Sequence, residues 1–289
     1  MLTTAARIGV LAVLGLLVSV APAVPTARRA DPVPSLLESH LLVTYYGNPH
    51  SALMGVLGKL TGEARGNALM RQAAAYAPLT RKRVLPAYHL VAVIAQPRPG
   101  TDGRWRRRES ADVIRALLVE ARQRGFHLVL DVQPGRAAVL DELAHLRPFL
   151  AEPDVHLALD PEFAMAEGAV PGRTIGHMPA ADVNAAARFL SALVASGRLP
   201  PKVLIVHQFA VRMLPDVGRI ESAPGVDVVL NMDGFGSRAL KLASYRTIMR
   251  RWPPSNFAGM KLFYTIDTNL FRPEDVMALT PTPSVVIYQ

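Results

Sequence analysis

The sequence predicts an α/β protein that folds as a single-domain (β/α)8 TIM-type barrel. Eight short apolar runs recur along the 289 residues, and nearly every run ends in a carboxylate, an amide, a histidine or a tyrosine. Loop-like stretches and then helical periodicity separate most runs, and this alternation indicates a parallel sheet. Eight repeats favour closure into a barrel over the alternative, an open doubly wound sheet. The runs occupy residues 41–48, 89–96, 127–133, 155–162, 202–208, 226–233, 261–267 and 283–289.

Helical patterns follow the runs in order. The longest connection, 49–88, carries four glycines and then a helical stretch over 67–77, and we expect this connection to fold over the barrel mouth. Amphipathic spacing predicts a helix over 110–124, which Gly125 ends as a C-cap glycine. The crossover 210–225 contains prolines and predicts at best a short helix. Further helices are predicted over 137–150, 180–196, 237–252 and 273–279, and none after the last run.

The sequence predicts one globular domain that follows an export signal at the N-terminus. Half of the residues are hydrophobic and 19% are charged, which excludes a disordered chain. The absence of cysteine excludes disulfides and thiolate metal sites. Arg7, the apolar stretch 8–20 and the small residues Ala21 and Ala23 follow the order of a secretory signal peptide. We therefore expect a signal peptide over 1–23, a linker over 24–37 and the barrel domain over 38–289.

The signal predicts a secreted protein or one associated with the cell envelope. The apolar stretch reaches only the lower edge of what spans a bilayer, so an uncleaved anchor is the alternative; after cleavage we expect no stable membrane insertion. The net charge is +9, and loss of residues 1–23 removes one basic residue and no acid. A basic exported protein is attracted to anionic envelope polymers. A nucleic-acid partner is not expected, because no basic motif with interleaved aromatic residues occurs.

Alternation within the runs predicts a polar cluster at the barrel mouth. Successive side chains of a barrel strand point alternately to the interior and to the helix layer. In the fourth run, His156, Ala158, Asp160 and Glu162 share the inward face. Because an unpaired charge on that face is costly, the pattern favours a ligand or catalytic site over a structural network of carboxylates. Applied to all runs, the alternation places at the mouth Tyr46, Asn48, Gln96, Asp131, Gln133, Asp160, Glu162, His207, Asn231, Asp233 and Asp267.

Two carboxyl groups across such a mouth are what glycoside hydrolysis requires. Glu162 is the predicted general acid, because Asp160 on the same face raises its pKa by repulsion. Asp267 is the preferred base or nucleophile, since strands four and seven lie on opposite sides of the mouth, and Asp233 is expected to orient the reacting groups. The residues predicted to bind or position substrate are Tyr46, Asn48, Gln96, Trp105, Asp131, Gln133, His207 and Asn231.

These acids also carry resemblances to known families. Glu162 and an acid ending the seventh run resemble the large clan of retaining glycosidases built on this barrel, although that clan usually uses two glutamates and Asp267 departs from it. Asp160-Pro161-Glu162 resembles the end of the chitinase-type D-x-D-x-E motif, with Ala158 in place of the first aspartate. The stretches LPPKVLIVHQF (199–209), NMDGFG (231–236) and KLFYTIDTN (261–269) are similar to a group of secreted bacterial barrel proteins, which implies the fold and export but no reaction.

The expected partner is a polysaccharide or a cell-envelope glycan. An anionic glycan is one option, because the cluster 104–108 contains four arginines; the simpler interpretation is a solvated helix entrance. Two other functions stay open: a non-catalytic glycan-binding protein, and a metal-dependent hydrolase or isomerase that uses His207 with the mouth carboxylates. Since no H-x-H or H-E-x-x-H spacing occurs, we assign no metal and no cofactor from the sequence.

Overall fold

Eight of the described strands close into a parallel barrel, which confirms the predicted fold class. The computed structural model describes residue 2, residues 35–253 and residues 255–289. In chain order the strands are β1 (His40–Gly47), β2 (Arg83–Ala95), β3 (Arg106–Arg108), β4 (His127–Val132), β5 (Val155–Leu159), β6 (Lys202–Gln208), β7 (Val226–Met232), β8 (Phe257–Leu262) and β9 (Val285–Tyr288). With β3 left out, neighbours in this order pair in parallel, and β1 pairs with both β2 and β9. The short β3 lies outside the barrel as an antiparallel partner of β2.

Helices fill the predicted connections. They are α1 (Leu36–Ser39), α2 (Val56–Lys59), α3 (Gly62–Ala74), α4 (Ala111–Gln123), α5 (Val139–Leu150), α6 (Ala180–Gly197), α7 (Arg238–Met249) and α8 (Pro273–Met277). The Ser110 hydroxyl caps α4 by accepting the N–H of Val113, and Gly125 follows with a φ of 68°. The crossover 210–225 holds two 3-10 turns in place of an α-helix. The last described strand, β9, ends at Tyr288.

The barrel interior changes from apolar at the bottom to polar towards the mouth. Leu42, Val203 and Val285 are among the buried side chains of the inner apolar cluster. From below, α1 covers this cluster, and the N–H of Leu37 donates a 2.8 Å hydrogen bond to Asp227. Residues 35–37, assigned to the linker from the sequence, therefore belong to the folded barrel.

The predicted signal peptide covers residues 1–23, of which all but residue 2 lie outside the described part of the chain. Within the described residues, no helix has both the length and the apolar character that crossing a membrane requires.

The seventh barrel strand lies earlier in the chain than its composition predicts. The aromatic and β-branched residues of 261–267 predict the seventh strand at that position. In the structure, the strand that pairs with β7 is β8, which ends at Leu262, where the chain turns. At Gly259 a Cβ would stand 2.4 Å from Asn231 Oδ1, so the absence of a side chain lets β8 approach β7. Asp267 consequently lies in the loop after the strand instead of at its end.

Candidate active site at the barrel mouth

A cleft of about 470 Å³ opens at the carboxyl ends of the barrel strands. This is the end at which barrels of this class carry their active sites. Aromatic rings form much of its wall, and carboxyl, amide and ammonium groups reach its floor. Its lining includes Tyr46, Gln133, Asp160, Glu162, Phe163, Phe209, Asp233, Phe235, Lys261, Phe263 and Gln289.

Asp233, just after β7, is the centre of a buried polar network. Its Oδ2 accepts hydrogen bonds from His207 Nδ1 at 2.8 Å and from the Lys261 ammonium at 3.2 Å, while its Oδ1 accepts from Asn231 Nδ2. The same ammonium lies 3.6 Å from the centre of the Tyr46 ring. Burial would raise the pKa of Asp233, but His207 and Lys261 outweigh burial and hold it well below its usual range. Asp233 is therefore a carboxylate anion at neutral pH.

Asp131 and His89 lie beside this network and are fully buried. Asp131 Oδ2 is 3.7 Å from His207 Nε2 and 3.8 Å from His89 Nε2, which is too long for hydrogen bonds. The Tyr46 hydroxyl faces Asp131, yet within the described residues no group makes a well-formed hydrogen bond to either Asp131 oxygen or to these two Nε2 atoms. Burial and the neighbouring His207 push the pKa of His89 well below its usual range, so its ring is neutral.

Asp160 caps the turn that follows β5. Its Oδ1 accepts the N–H of Glu162 at 3.3 Å, and its Oδ2 accepts from Gln133 Nε2 at 3.4 Å. Only 5% of the residue is exposed. Burial first, and repulsion from Asp131 second, raise the pKa of Asp160 to about 8. Asp160 is thus an acid that holds its proton at neutral pH.

Glu162 reaches the cleft from the turn Pro161–Phe163. Burial and repulsion from Asp233 raise the pKa of its carboxyl group, although Lys261 and His207 act in the opposite direction. Among the described residues, no side chain makes a hydrogen bond to this carboxyl group, which leaves it available to a ligand. The cleft therefore contains an acid with a raised pKa beside a carboxylate anion.

Asp267 does not line the cleft. Its carboxylate is 1% exposed and pairs with the Lys241 ammonium at 2.8 Å. It also accepts the backbone N–H groups of Phe263 at 2.8 Å and Gly236 at 3.1 Å. All these contacts hold the loops after β7 and β8 together, so Asp267 stabilises the packing of these two loops.

Asn48, Gln96 and Trp105 also lie apart from the cleft. Asn48 is buried, and its Nδ2 donates to Glu109 at 2.8 Å. Gln96 and Trp105 belong to the hairpin of β2 and β3, where the Gln96 N–H donates to the Trp105 carbonyl at 2.8 Å. The Trp105 ring packs against the Arg136 guanidinium at 4.6 Å. A register shift between Val91 and Val93 interrupts the alternation along β2 before this hairpin.

The arginine cluster is held by ion pairs within the fold. Arg106 and Arg108 both pair with the fully buried Glu142, at 2.9 and 2.7 Å. Arg107 pairs with Glu109 at 3.2 Å. The pairs of Arg106 and Arg108 with Glu142 anchor the β2–β3 hairpin to α5.

Two site residues escaped the sequence reasoning. Lys261 has the same parity as Asp267, which the alternation predicts inward, so the sequence contains a signal for Lys261. His89 is the first residue of the second apolar run, whereas the structure places it in the middle of β2, which starts at Arg83. The predicted residues that the structure does bring together are Tyr46, Asp131, Gln133, Asp160, Glu162, His207, Asn231 and Asp233.

Comparison with protein-family models and with curated proteins gives no match. The fold and the mouth therefore define a class only, a closed (β/α)8 barrel with a polar cleft that is compatible with catalysis or binding.

Proposed function

We propose that the protein is an exported carbohydrate-active hydrolase of the glycoside hydrolase type, in which Glu162 is the general acid and Asp233 its carboxylate partner. The observation that supports this most is the pairing, in one cleft, of an acid with a raised pKa and a carboxylate held by an ammonium group. Two carboxyl groups in opposite protonation states are the requirement for cleaving a glycosidic bond. Asp233 replaces Asp267, the partner predicted from the sequence, because Asp267 is bound by Lys241.

The reaction needs one proton donor, one anion and water. Glu162 donates its proton to the glycosidic oxygen as the bond from that oxygen to the anomeric carbon breaks. The Asp233 carboxylate stabilises the positive charge that develops at that carbon. Water then supplies a hydroxyl group to the carbon, and its remaining proton restores the acid.

The cleft wall suits a sugar ring. Phe163, Phe209, Phe235 and Phe263 line it, and flat aromatic faces stack on the apolar faces of sugars. Three carboxyl groups and one ammonium reach the cleft, so a neutral or amino sugar fits it better than an anionic polymer. The predicted signal peptide would deliver the protein to polysaccharides or envelope glycans outside the cytoplasm.

A glycan-binding protein without catalysis is the second candidate. One observation favours it: both Asp233 oxygens accept hydrogen bonds, from His207, Lys261 and Asn231. Donors on both oxygens lower the reactivity of a carboxylate towards carbon. The same cleft would then hold a sugar without cleaving it.

Release of reducing ends from a panel of polysaccharides, including chitin, peptidoglycan, xylan and β-glucan, tests the proposal. Glu162→Gln and Asp233→Asn should each lower turnover by at least about 100-fold. Glu167→Gln is the matched control, because Glu167 is an exposed acid in the loop that follows, and it should retain full turnover. Unchanged turnover in Glu162→Gln would overturn the proposal. Binding without turnover by the unmodified chain would establish the second candidate, and neither binding nor turnover would reject both.

A further inference from the structure

Three fully buried groups aim at one point inside the barrel, below the cleft. They come from β2, β4 and β6, and their potential ligand atoms lie within 4.8 Å of one another: His89, Asp131 and His207. The Asp131 carboxylate is 3.8 Å from one imidazole nitrogen and 3.7 Å from the other. A zinc ion about 2.0–2.2 Å from each ligand in tetrahedral geometry spaces its ligand atoms by about 3.4 Å. The two distances from Asp131 are too long for hydrogen bonds and exceed this ligand spacing by a few tenths of an ångström.

The other ring nitrogens are already engaged, as they are in metal-binding histidines. His207 Nδ1 donates to Asp233 at 2.8 Å, and its Nε2 faces Asp131 at 3.7 Å. His89 Nδ1 lies 3.5 Å from the Thr44 hydroxyl, and its Nε2 also faces the carboxylate. The two Nε2 atoms and the carboxylate face one another without a hydrogen bond between them. A metal ion at this point would take the place of a proton on His207 Nε2 and coordinate all three groups.

Among the described residues, no lysine or arginine pairs with Asp131, and its side chain is 0% exposed. The nearby Lys261 ammonium contacts Asp233 instead, at 3.2 Å. The two imidazoles lie beyond hydrogen-bond distance of the Asp131 carboxylate, and a buried carboxylate without closely bound partners is expensive. A divalent ion would neutralise it.

We propose that His89, Asp131 and His207 bind one divalent transition-metal ion of the zinc class. Two imidazole nitrogens and one carboxylate suit such an ion better than magnesium or calcium, which prefer oxygen-rich sets. The ring of Tyr46, 5.0 Å from that of His89 and 6.0 Å from that of His207, separates this point from the cleft. The ion therefore stabilises the barrel interior below the cleft floor, and the inference is independent of the reaction proposed above.

Metal content and thermal stability of the full chain test this site. The protein is treated with a chelator, incubated with Zn²⁺, desalted and analysed for zinc per chain, and its Tm is measured with and without Zn²⁺. We expect one zinc per chain and a Tm that rises with Zn²⁺ concentration. His89→Gln and Asp131→Asn should bind zinc at least tenfold more weakly. His127→Gln is the matched control, because His127 hydrogen-bonds another buried imidazole, His156, at 2.9 Å, and it should retain the zinc.

Replacement of Zn²⁺ by Co²⁺ in the unmodified chain adds a readout that needs no variant, since tetrahedral Co²⁺ absorbs strongly in the visible range. If the chain retains no zinc above buffer level and its Tm does not change, the proposal fails, and the cluster is a protonated imidazole between carboxylates. Equal zinc retention by the unmodified chain and a folded His89→Gln variant would also reject it, because the metal would then lie elsewhere.

Discussion

The Lys241 ammonium and the Asp267 carboxylate form a buried ion pair, with 2.8 Å between Nζ and Oδ2 and 1% exposure of either side chain. The ammonium also donates to the carbonyl groups of Gly234 at 2.7 Å and Lys261 at 2.8 Å. The pair thus joins α7 to the loops that follow β7 and β8. Since these loops form part of the cleft wall, the pair shapes the cleft without contacting a ligand.

Asp267→Asn should lower the free energy of unfolding by about 3–5 kcal/mol, because it leaves the Lys241 ammonium buried without a counter-charge. Urea unfolding followed by circular dichroism measures the loss. The double variant Lys241→Met with Asp267→Asn should recover part of it, since no charge then remains buried. If Asp267→Asn kept its stability and lost glycan turnover, Asp267 would return as a catalytic candidate.

Glu162 should set the alkaline limb of the pH profile of kcat/KM. Its pKa is raised by burial and by Asp233, and only the protonated acid can donate to the leaving oxygen. Turnover should therefore fall as the pH rises through the raised pKa of Glu162. A profile between about pH 4 and pH 9 shows this limb. A limb at the ordinary glutamate value of about 4.3 would contradict the assignment.

Phe235 should contribute to binding more than to chemistry. The residue is 56% exposed, and its ring packs edge-on against that of Phe263 at 6.2 Å, which presents an aromatic face to a ligand. Phe235→Ala should weaken glycan binding by about tenfold, or raise KM with little change in kcat. Leu240→Ala, at an equally exposed site on α7, is the control and should leave KM unchanged. A fall in kcat alone would place Phe235 in the chemical step.

The alternation of side chains along strands is a local property, and most of the site could be predicted from it. Asp131, Asp160, His207 and Asp233 lie inward because parity within each strand follows from the backbone. The residue at which a strand ends cannot be predicted from parity, because it depends on contacts with residues far away along the chain. For Asp267, the partner that decides its position is 26 residues away along the chain, in α7.

Gly259 is the residue that allows β8 to start earlier than its composition predicts. A Cβ there would meet Asn231 Oδ1 at 2.4 Å, so Gly259→Ala should displace the Asn231 amide and lower the free energy of unfolding by about 1–3 kcal/mol. Urea unfolding measures this loss. Gly218→Ala is the control, because nothing lies within 4 Å of a Cβ at that position. Equal stability of the two variants would show that β8 and β7 tolerate the extra methyl group.

Lys202 should make the stability of the barrel depend on alkaline pH. The side chain is fully buried at the start of β6, and its ammonium donates to the carbonyl groups of Val155, at 2.9 Å, and Glu152. Burial lowers the pKa of Lys202 from 10.5 to about 8, although Asp154 and Glu152 oppose the shift.

Between these two values the unfolded chain binds a proton that the folded chain does not, so the free energy of unfolding should rise as the pH increases from about 8 to 10.5. The gain is at most about 3 kcal/mol, and below pH 8 the contribution of Lys202 is constant. Urea unfolding across this range, on the unmodified chain and on Lys202→Met, isolates the effect as the difference between the two, because other groups titrate in both. A difference that stays constant with pH would mean that the Lys202 ammonium keeps its ordinary pKa when buried.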